Sequence, residues 1–272
     1  MNLPDYSFLL SVYDKENPSY LDECLKSVFE QSHPSNDIVL VIDGPINIQL
    51  KEIIRKFECE TLNLVYLEEN VGLGDALRIG LEACKNEFIL RMDTDDICHP
   101  YRAEKQVSFL ASRKDVSAVG TPVLEFEDTI HNVTGKKEVP IEYKDVKLYS
   151  RYRNPICHPS VAFRKKNILI VGNYERLLLF EDYYLWLKLI SNDYVVENIE
   201  EPLVWMRVDS NLYKRRGGIS YIKKHYNFRK KEKKLGMINE IQFFQIVFVQ
   251  SLIAIIPNDL RLLFYKKILR RT

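Results

Sequence analysis

Short apolar runs alternate with amphipathic segments over the first hundred residues of this 272-residue chain. The apolar runs predict four buried strands, over residues 6–13, 37–43, 62–68 and 87–93. Apolar residues at helical spacing predict three helices between them, over 19–32, 48–58 and 74–84. This alternation predicts an α/β fold with a mostly parallel central sheet flanked by helices. In such folds, ligands bind beyond the carboxyl ends of the strands.

The pattern is looser after residue 100. It predicts helices over 102–112 and 181–191, strands over 116–126 and 159–165, and a polar, variable stretch over 127–150. The last of these helices has acidic residues in its first turn, where the helix dipole favours negative charge.

The last sixty residues differ in charge from the rest. Residues 213–272 contain 15 Lys and Arg against three acidic residues, whereas the remaining 212 residues contain 24 against 35. The segment 214–234 is basic with interleaved aromatic residues, and 241–257 is apolar but contains three glutamines. A run of 17 residues is short for a membrane span, so the glutamines favour an interfacial or packed helix. The basic tail predicts an anionic partner, either a membrane surface or nucleic acid.

Three carboxylates follow the fourth predicted strand directly. Asp93, Asp95 and Asp96 would repel one another and raise each other's pKa values unless something neutralised them. Alternating carboxylates suit a hard cation such as Mg²⁺ or Mn²⁺, which binds oxygen ligands and often substrate phosphates. A turn that caps the following helix is the alternative.

A glycine-rich turn at residues 69–80, "ENVGLGDALRIG", precedes the third predicted helix. Its glycines could let a phosphate or a sugar approach the backbone, or they could simply serve the turn. The turn lacks the spacing of a dinucleotide fingerprint or a P-loop.

Five motifs together resemble family 2 glycosyltransferases, which are inverting, nucleotide-sugar-dependent enzymes with the Rossmann-like GT-A fold. In chain order they are "VIDGP", "ENVGLGDALRIG", "LRMDTDD", "NPICHPSVAFRK" and "EDYYLWLKL". The resemblance covers about residues 6–210 and is closest to bacterial enzymes that build surface polysaccharides.

The resemblance implies a nucleotide-sugar site at the strand ends. Its residues are Ser11, Tyr13, Asp43, Gly72, Arg78, Arg91, Asp93 and Thr94. Asp43 resembles the aspartate that binds the base, usually uracil, although the usual family form has two adjacent acids and the first is here Ile42. Asp93 is expected to face the ribose or a divalent metal, Mn²⁺ or Mg²⁺, and Asp95 to ligate that metal. Arg91 either contacts the nucleotide-sugar or neutralises the acidic cluster.

The resemblance also implies an acceptor side. Asp182 resembles the general base of the family's "ED" motif, with Glu181 beside it; without the resemblance both are first-turn helix acids. Trp186 either stacks on a sugar ring or packs in the core. His158 is either structural or contacts the diphosphate or the acceptor. Asp96 is expected to cap or orient the helix that follows it.

These expectations give a domain plan and a function. Residues 1–212 form the glycosyltransferase domain, with a nucleotide-binding half at 1–100 and an acceptor-binding half at 101–212, and 213–272 form a basic and apolar helical region. The Gln-x-x-Arg-Trp sequence of processive members is absent, which predicts transfer of one sugar, with Arg207 or Arg215 contacting the diphosphate. The expected donor is a UDP-sugar, and the expected acceptor is a glycan or a lipid-linked glycan in bacterial polysaccharide synthesis. The enzyme would be a hexosyl- or N-acetylhexosaminyltransferase.

Two other functions remain open at this point. A nucleotidyltransferase-like enzyme acting on sugar phosphates would usually need a glycine-rich phosphate loop near the N-terminus, and 11–20 contains no glycine. An RNA-binding protein could use the basic tail, but the strand-end acids would repel phosphate, so we expect no nucleic-acid partner. Five cysteines without a CxxC pair and an N-terminus without a signal pattern predict a cytoplasmic protein. The basic, apolar C-terminus and the lipid-linked acceptors that the resemblance implies predict a peripheral position on the inner face of the membrane.

Overall fold

The computed structural model describes residues 3–208 and 217–256. Its strands are β1 Tyr6–Val12, β2 Asp37–Ile42, β3 Leu62–Tyr66, β4 Phe88–Arg91, β5 Ile97–Cys98, β6 Val116–Gly120, β7 Val123–Phe126, β8 Val133–Lys137, β9 Ala162–Arg164, β10 Val195–Asn198 and β11 Val204–Arg207. Its helices are α1 Pro18–Phe29, α2 Ile48–Lys56, α3 Leu73–Ala83, α4 Arg102–Ser112, α5 Tyr143–Tyr149, α6 Lys165–Ile170, α7 Glu181–Ser191, α8 Gly218–Lys234 and α9 Glu240–Ile255.

The central sheet has seven strands in the order β10-β6-β9-β4-β1-β2-β3. Every neighbouring pair is parallel except the two that involve β9. Core residues on its two faces form two apolar clusters, as expected for a sheet covered by helices on both sides. The mostly parallel α/β fold is therefore confirmed.

The second half of the chain differs in detail from its sequence pattern. The predicted strand at 116–126 is two strands in different sheets, because Pro122 lies between them and has no N–H to donate to a ladder. The strand predicted at 159–165 is only β9, three residues long. The polar stretch at 127–150 contains both β8 and α5.

A second sheet has four strands in the order β5-β11-β7-β8, and its edge strand β5 directly follows the acidic cluster in the sequence. Its strand β5 begins one residue after Asp96 and pairs antiparallel with β11, with Trp205 opposite Ile97. Continuing this register brings Arg207 opposite Asp95. The small sheet thus places a distant arginine beside the carboxylates.

The basic helix α8 packs on the main body of the chain. Its Phe228 is fully buried and stacks on Phe180 at a ring-centroid distance of 4.6 Å, next to Tyr183 at 4.7 Å. Tyr221 of the same helix is also buried. These aromatic residues are core residues, which counts against their use in stacking on RNA bases.

The apolar helix α9 follows α8 and begins with a capping box formed by Asn239 and Gln242. It buries Phe243, Ile246 and Ala254 but leaves an apolar face in solvent. The exposed apolar residues are Ile241, Phe244, Phe248, Val249, Leu252 and Ile255. Within residues 3–208 and 217–256, no helix has the length and apolarity needed to cross a membrane.

Candidate active site

The acidic cluster lies where β4 ends. Asp93, Asp95 and Asp96 each offer one carboxylate oxygen, and these atoms lie within 4.8 Å of one another. Burial, together with the charges of Asp93 and Glu16, raises the pKa of Asp95 to about 7. Burial also raises the pKa of Asp96 well above its ordinary value, and the Oδ2 atom of Asp96 is buried without a hydrogen-bond partner. Crowded oxygen ligands of this kind fit a hard divalent cation, which would relieve their repulsion.

Arg91 neutralises Asp93 from within the core. Its guanidinium donates to both carboxylate oxygens of Asp93, through Nη1 at 2.5 Å and through Nη2. The Arg91 side chain is only 1% exposed, and Arg102 donates to its carbonyl at 2.7 Å. Of the two roles predicted for Arg91, the structure therefore shows the neutralising one, since a buried guanidinium is not open to a nucleotide. This pairing leaves Asp95 as the more available ligand.

Asp96 orients a strand and not the helix that follows it. The N-cap position of α4 is occupied by Tyr101, so the prediction that Asp96 caps this helix is wrong. Instead, Asp96 accepts a 2.7 Å hydrogen bond from the backbone N–H of Arg207, whose Nε donates to the Asp95 carbonyl at 3.0 Å. Arg207 also pairs with Glu23, and its side chain is 6% exposed. Arg207 therefore supports the acidic cluster through these contacts, and its predicted contact with a diphosphate stays a prediction. Arg215, the other candidate for that contact, lies outside the described residues.

Thr94 connects the cluster to the end of β1. Its hydroxyl donates to Glu16 at 2.7 Å and lies 3.4 Å from the carbonyl of Ser11. Thr94 is 4% exposed, so this buried link is the role that the structure shows for it. Sequence reasoning missed Glu16, because nothing in the local pattern distinguishes it from other acids of a surface loop.

Asp43 holds the glycine-rich turn in place. Its carboxylate accepts from the N–H groups of Val71 and Gly72 at 2.8 and 3.1 Å, and from Asn70 Nδ2 at 3.1 Å. Gly72 has φ of +90°, so the turn needs glycine there for its backbone conformation. Tyr13, 41% exposed, is close in the chain to Val12, whose carbonyl accepts from the Asp43 N–H at 2.8 Å. The contact of Asp43 with a base stays a prediction.

The turn also brings the start of α3 against Glu175 and Glu181, the first residue of α7. A Cβ at Gly74 would lie 3.1 Å from the carbonyl oxygen of Glu175 and 3.3 Å from Cβ of Glu181, so only glycine allows this approach easily. Arg78, further along α3, pairs with Asp75 at 3.5 Å on its own helix. This ion pair therefore holds Arg78 against its own helix and not against the acidic cluster.

Asp182 begins α7 with Glu181 and faces the loop before the 158–160 turn. Its Oδ2 accepts a 2.6 Å hydrogen bond from Asn154 Nδ2. Burial raises the pKa of Asp182, and burial with the Asp182 charge raises the pKa of Glu181 to about 7. A carboxylate with a raised pKa is closer to what a general base needs at neutral pH. Sequence reasoning missed two residues that act against the raised pKa of Asp182: Asn154, through its hydrogen bond, and Lys137, through its positive charge.

Trp186, one helical turn after Asp182 on α7, packs against His158. Trp186 is fully buried and packs in the core, so the alternative prediction that it stacks on a sugar ring is wrong. His158 lies 3.1 Å from the Tyr174 hydroxyl and packs edge-on against Trp186. Burial and the charges of Arg91 and Lys137 lower the pKa of His158 well below its ordinary value, which keeps the ring neutral.

Comparison with known proteins identifies relatives over nearly the whole chain. Residues 7–171 match "Glycosyl transferase family 2". The amylovoran biosynthesis glycosyltransferase AmsE of Erwinia amylovora is 36% identical over 96% of this chain and 98% of its own. The UDP-Gal:alpha-D-GlcNAc-diphosphoundecaprenol beta-1,3-galactosyltransferase of Escherichia coli is 34% identical over 98% of both chains.

Solved structures share the fold at low identity. S. aureus TarS 1-349 in complex with UDP-GlcNAc superposes with a TM-score of 0.68 at 17% identity, over 92% of this chain and 72% of that one. The mannosyltransferase PcManGT from Pyrobaculum calidifontis, in complex with GDP-Man and Mn²⁺, gives 0.65 at 17% identity, over 96% and 72%.

Proposed function

This chain belongs to glycosyltransferase family 2, and we propose that it transfers one sugar from a UDP-sugar to a hydroxyl of a lipid-linked glycan, with inversion at C1. The family match covers residues 7–171, and relatives at 34–36% identity span the chain. One of these relatives is named for amylovoran biosynthesis, and the other for UDP-Gal and a diphosphoundecaprenol-linked GlcNAc acceptor. Synthesis of a bacterial surface polysaccharide is the process that these relatives support.

The observation that carries the mechanism is the Asp182 carboxylate, oriented by Asn154 and raised in pKa by burial. In an inverting transfer, the acceptor oxygen forms a bond to C1 while the bond from C1 to the diphosphate oxygen breaks. The nucleoside diphosphate leaves with that electron pair, and Asp182 takes the proton of the acceptor hydroxyl. Asp182 is therefore assigned as general base.

The donor side is assigned to the strand ends. Asp95, with Asp93, would hold a divalent metal, which when bound stabilises negative charge on the leaving diphosphate. Arg91 holds Asp93 in a fixed direction, and Arg207 holds the backbone of Asp95. PcManGT, which shares the fold, was solved with Mn²⁺.

A donor screen tests this proposal. UDP-galactose, UDP-N-acetylglucosamine, UDP-glucose and GDP-mannose are assayed for binding by thermal stabilisation, with and without Mn²⁺, and for transfer to a short-chain GlcNAc-diphosphoryl lipid. We expect a UDP-sugar to bind best with metal. Asp182→Asn should abolish transfer and leave donor binding within about twofold. Equal transfer by the variant and the wild type would refute the base assignment.

We assign the exposed face of α9 to the membrane surface where lipid-linked acceptors lie. Phe244 and Phe248 are 65% and 64% exposed, and they are one turn apart on a helix that directly follows basic α8. Apolar contact combined with attraction to anionic lipid is how interfacial helices bind. In flotation with vesicles containing phosphatidylglycerol, Phe244→Glu/Phe248→Glu should lose most binding. Ile219→Glu, a change at a 73% exposed residue of α8, is the matched control. Unchanged flotation of the double variant would contradict this surface.

A further inference from the structure

One side-chain hydrogen bond determines the direction of the Asp182 carboxylate. Asn154 donates from Nδ2 to Oδ2 of Asp182 at 2.6 Å, and its own Oδ1 accepts from the Ile156 N–H at 3.3 Å. The amide is therefore held at both ends, and the donor end faces a carboxylate that can only accept. Asn154 lies in the segment between α5 and the 158–160 turn, so its position depends on what holds this segment.

Arg229 of α8 holds the start of that segment. Its Nη1 donates to the Arg151 carbonyl at 3.2 Å and its Nη2 to the Tyr152 carbonyl at 3.0 Å. Arg229 is 2% exposed and is paired at 2.5 Å with Glu232, which is fully buried. A planar guanidinium has five N–H donors on three nitrogens, so it can reach two successive carbonyls and a carboxylate in a fixed geometry, whereas the three donors of a lysine all lie on one nitrogen.

The base helix is tied to the same segment. Tyr183, next to Asp182 in sequence, donates from its hydroxyl to the Ser150 carbonyl at 2.7 Å. Arg229 Nη1 lies 3.4 Å from this hydroxyl. Helix α8, the 150–154 segment and the start of α7 thus share one buried hydrogen-bond network.

We propose that Asn154 is a positioning residue for the Asp182 carboxylate, and that Arg229 holds the segment carrying Asn154, so that α8 is part of the acceptor side of the site. The inference rests on the proposed role of Asp182 as base. It gives the C-terminal region a second role: α9 is assigned to the membrane surface, and α8 maintains the geometry of the Asp182 carboxylate.

The network has two physical consequences. A hydrogen bond from Asn154 favours the ionised form of Asp182, against the burial that disfavours it. The other charged groups acting on Asp182 and its neighbour are Glu181, Arg91 and Lys137. Misplacement of a reacting group by about 1 Å can cost about 100-fold in rate, so loss of the anchor should reduce kcat.

The first test compares Asn154→Ala, Asp182→Asn and the wild type in detergent micelles, with the donor found in the screen and the short-chain acceptor. We expect Asn154→Ala to lower kcat about 10-fold with the donor KM within twofold, and to move the acidic limb of the kcat profile to higher pH. An active Asp182→Asn would refute the proposed function. An inactive Asp182→Asn with an Asn154→Ala profile that has not moved would refute this inference alone.

The second test needs no substrate. Hydrogen exchange is measured at amides 151–154 and 156, since residue 155 is a proline without an N–H. The variants are Arg229→Met and Arg229→Met/Glu232→Met, of which the second leaves no unpaired buried charge. Lys230→Met, which removes an equal charge from an exposed neighbour, is the control. We expect exchange in this segment to be at least about 10-fold faster in the double variant than in Lys230→Met. Equal rates in these two variants would overturn the anchoring role of Arg229.

Discussion

Phe228→Ala tests whether α8 is part of the folded body or a separable tail. The Phe228 ring is fully buried, lies parallel to Phe180 with an interplanar angle of 7°, and also contacts Tyr183. Truncation of a buried phenylalanine to alanine costs about 3–5 kcal/mol. Loss of the stacked pair with Phe180 adds about 1 kcal/mol to the lower end of that range. We therefore expect the free energy of unfolding to fall by about 4 kcal/mol.

The matched control is Phe244→Ala, because it makes the same chemical change at a side chain that is 65% exposed. Its ring touches Phe243 edge-on at 5.4 Å, so we expect a loss of about 1 kcal/mol or less. Urea unfolding followed by circular dichroism and by tryptophan fluorescence measures both variants. Of the two tryptophans, Trp186 lies in the same core cluster as Phe228, so fluorescence is measured in a Trp205→Phe background, where it reports on Trp186 alone.

The outcome decides the domain boundary. If α8 belongs to the body, Phe228→Ala lowers the urea midpoint of the single main transition, and both probes report the same shift. If α8 is a separable tail, the Trp186 fluorescence transition stays at the wild-type midpoint in Phe228→Ala. That result would refute the packing argument, and with it the proposed link from α8 to Asp182.

Three further predictions concern the site. Asp43→Ala should lower the free energy of unfolding, measured by urea titration, by about 1–3 kcal/mol, because the N–H groups of Val71 and Gly72 lose their acceptor. A loss below about 0.5 kcal/mol would contradict the structural role of Asp43 in the turn. Burial raises the pKa of Asp182, and a general base must be ionised to accept a proton. We therefore expect kcat, measured from pH 3.5 to 8 with folding monitored, to fall on acidification with an apparent pKa above the ordinary aspartate value of about 3.9. An apparent pKa at or below that value would be inconsistent with the burial of Asp182. Asp95→Asn should weaken Mn²⁺-dependent UDP binding at least 10-fold in calorimetry and leave metal-free binding unchanged, and equal affinity with Mn²⁺ would exclude Asp95 as a ligand.

Local pattern was enough to predict the sheet and the family. The strands β1 to β4 lie within two residues of their predicted bounds, because buried parallel strands are continuous apolar runs. The three acids follow the last of these strands, so the sequence alone placed them at its carboxyl end. The ordered motifs then identified a family that the comparisons confirm.

The roles within the site depended on contacts between residues far apart in the chain. Asp96 is oriented by Arg207, 111 residues away, and the carbonyl of Tyr152 accepts a hydrogen bond from Arg229, 77 residues away. Trp186 shares a helix face with Asp182, but α7 is buried on every side from Tyr183 to Ile190, so a shared face did not place the Trp186 ring in the site.

The sequence by itself determined the alternation of strands and helices, the acidic cluster at a strand end, and the family. Periodicity reports which face of an element is apolar, and motif order reports ancestry. Only the tertiary structure decided that Arg91 neutralises Asp93 and that the basic helix packs against Phe180 and Tyr183, on either side of Glu181 and Asp182 in the chain. The reason is physical: a buried charge must find a partner wherever the packed chain provides one, and that partner follows from the packing of whole elements.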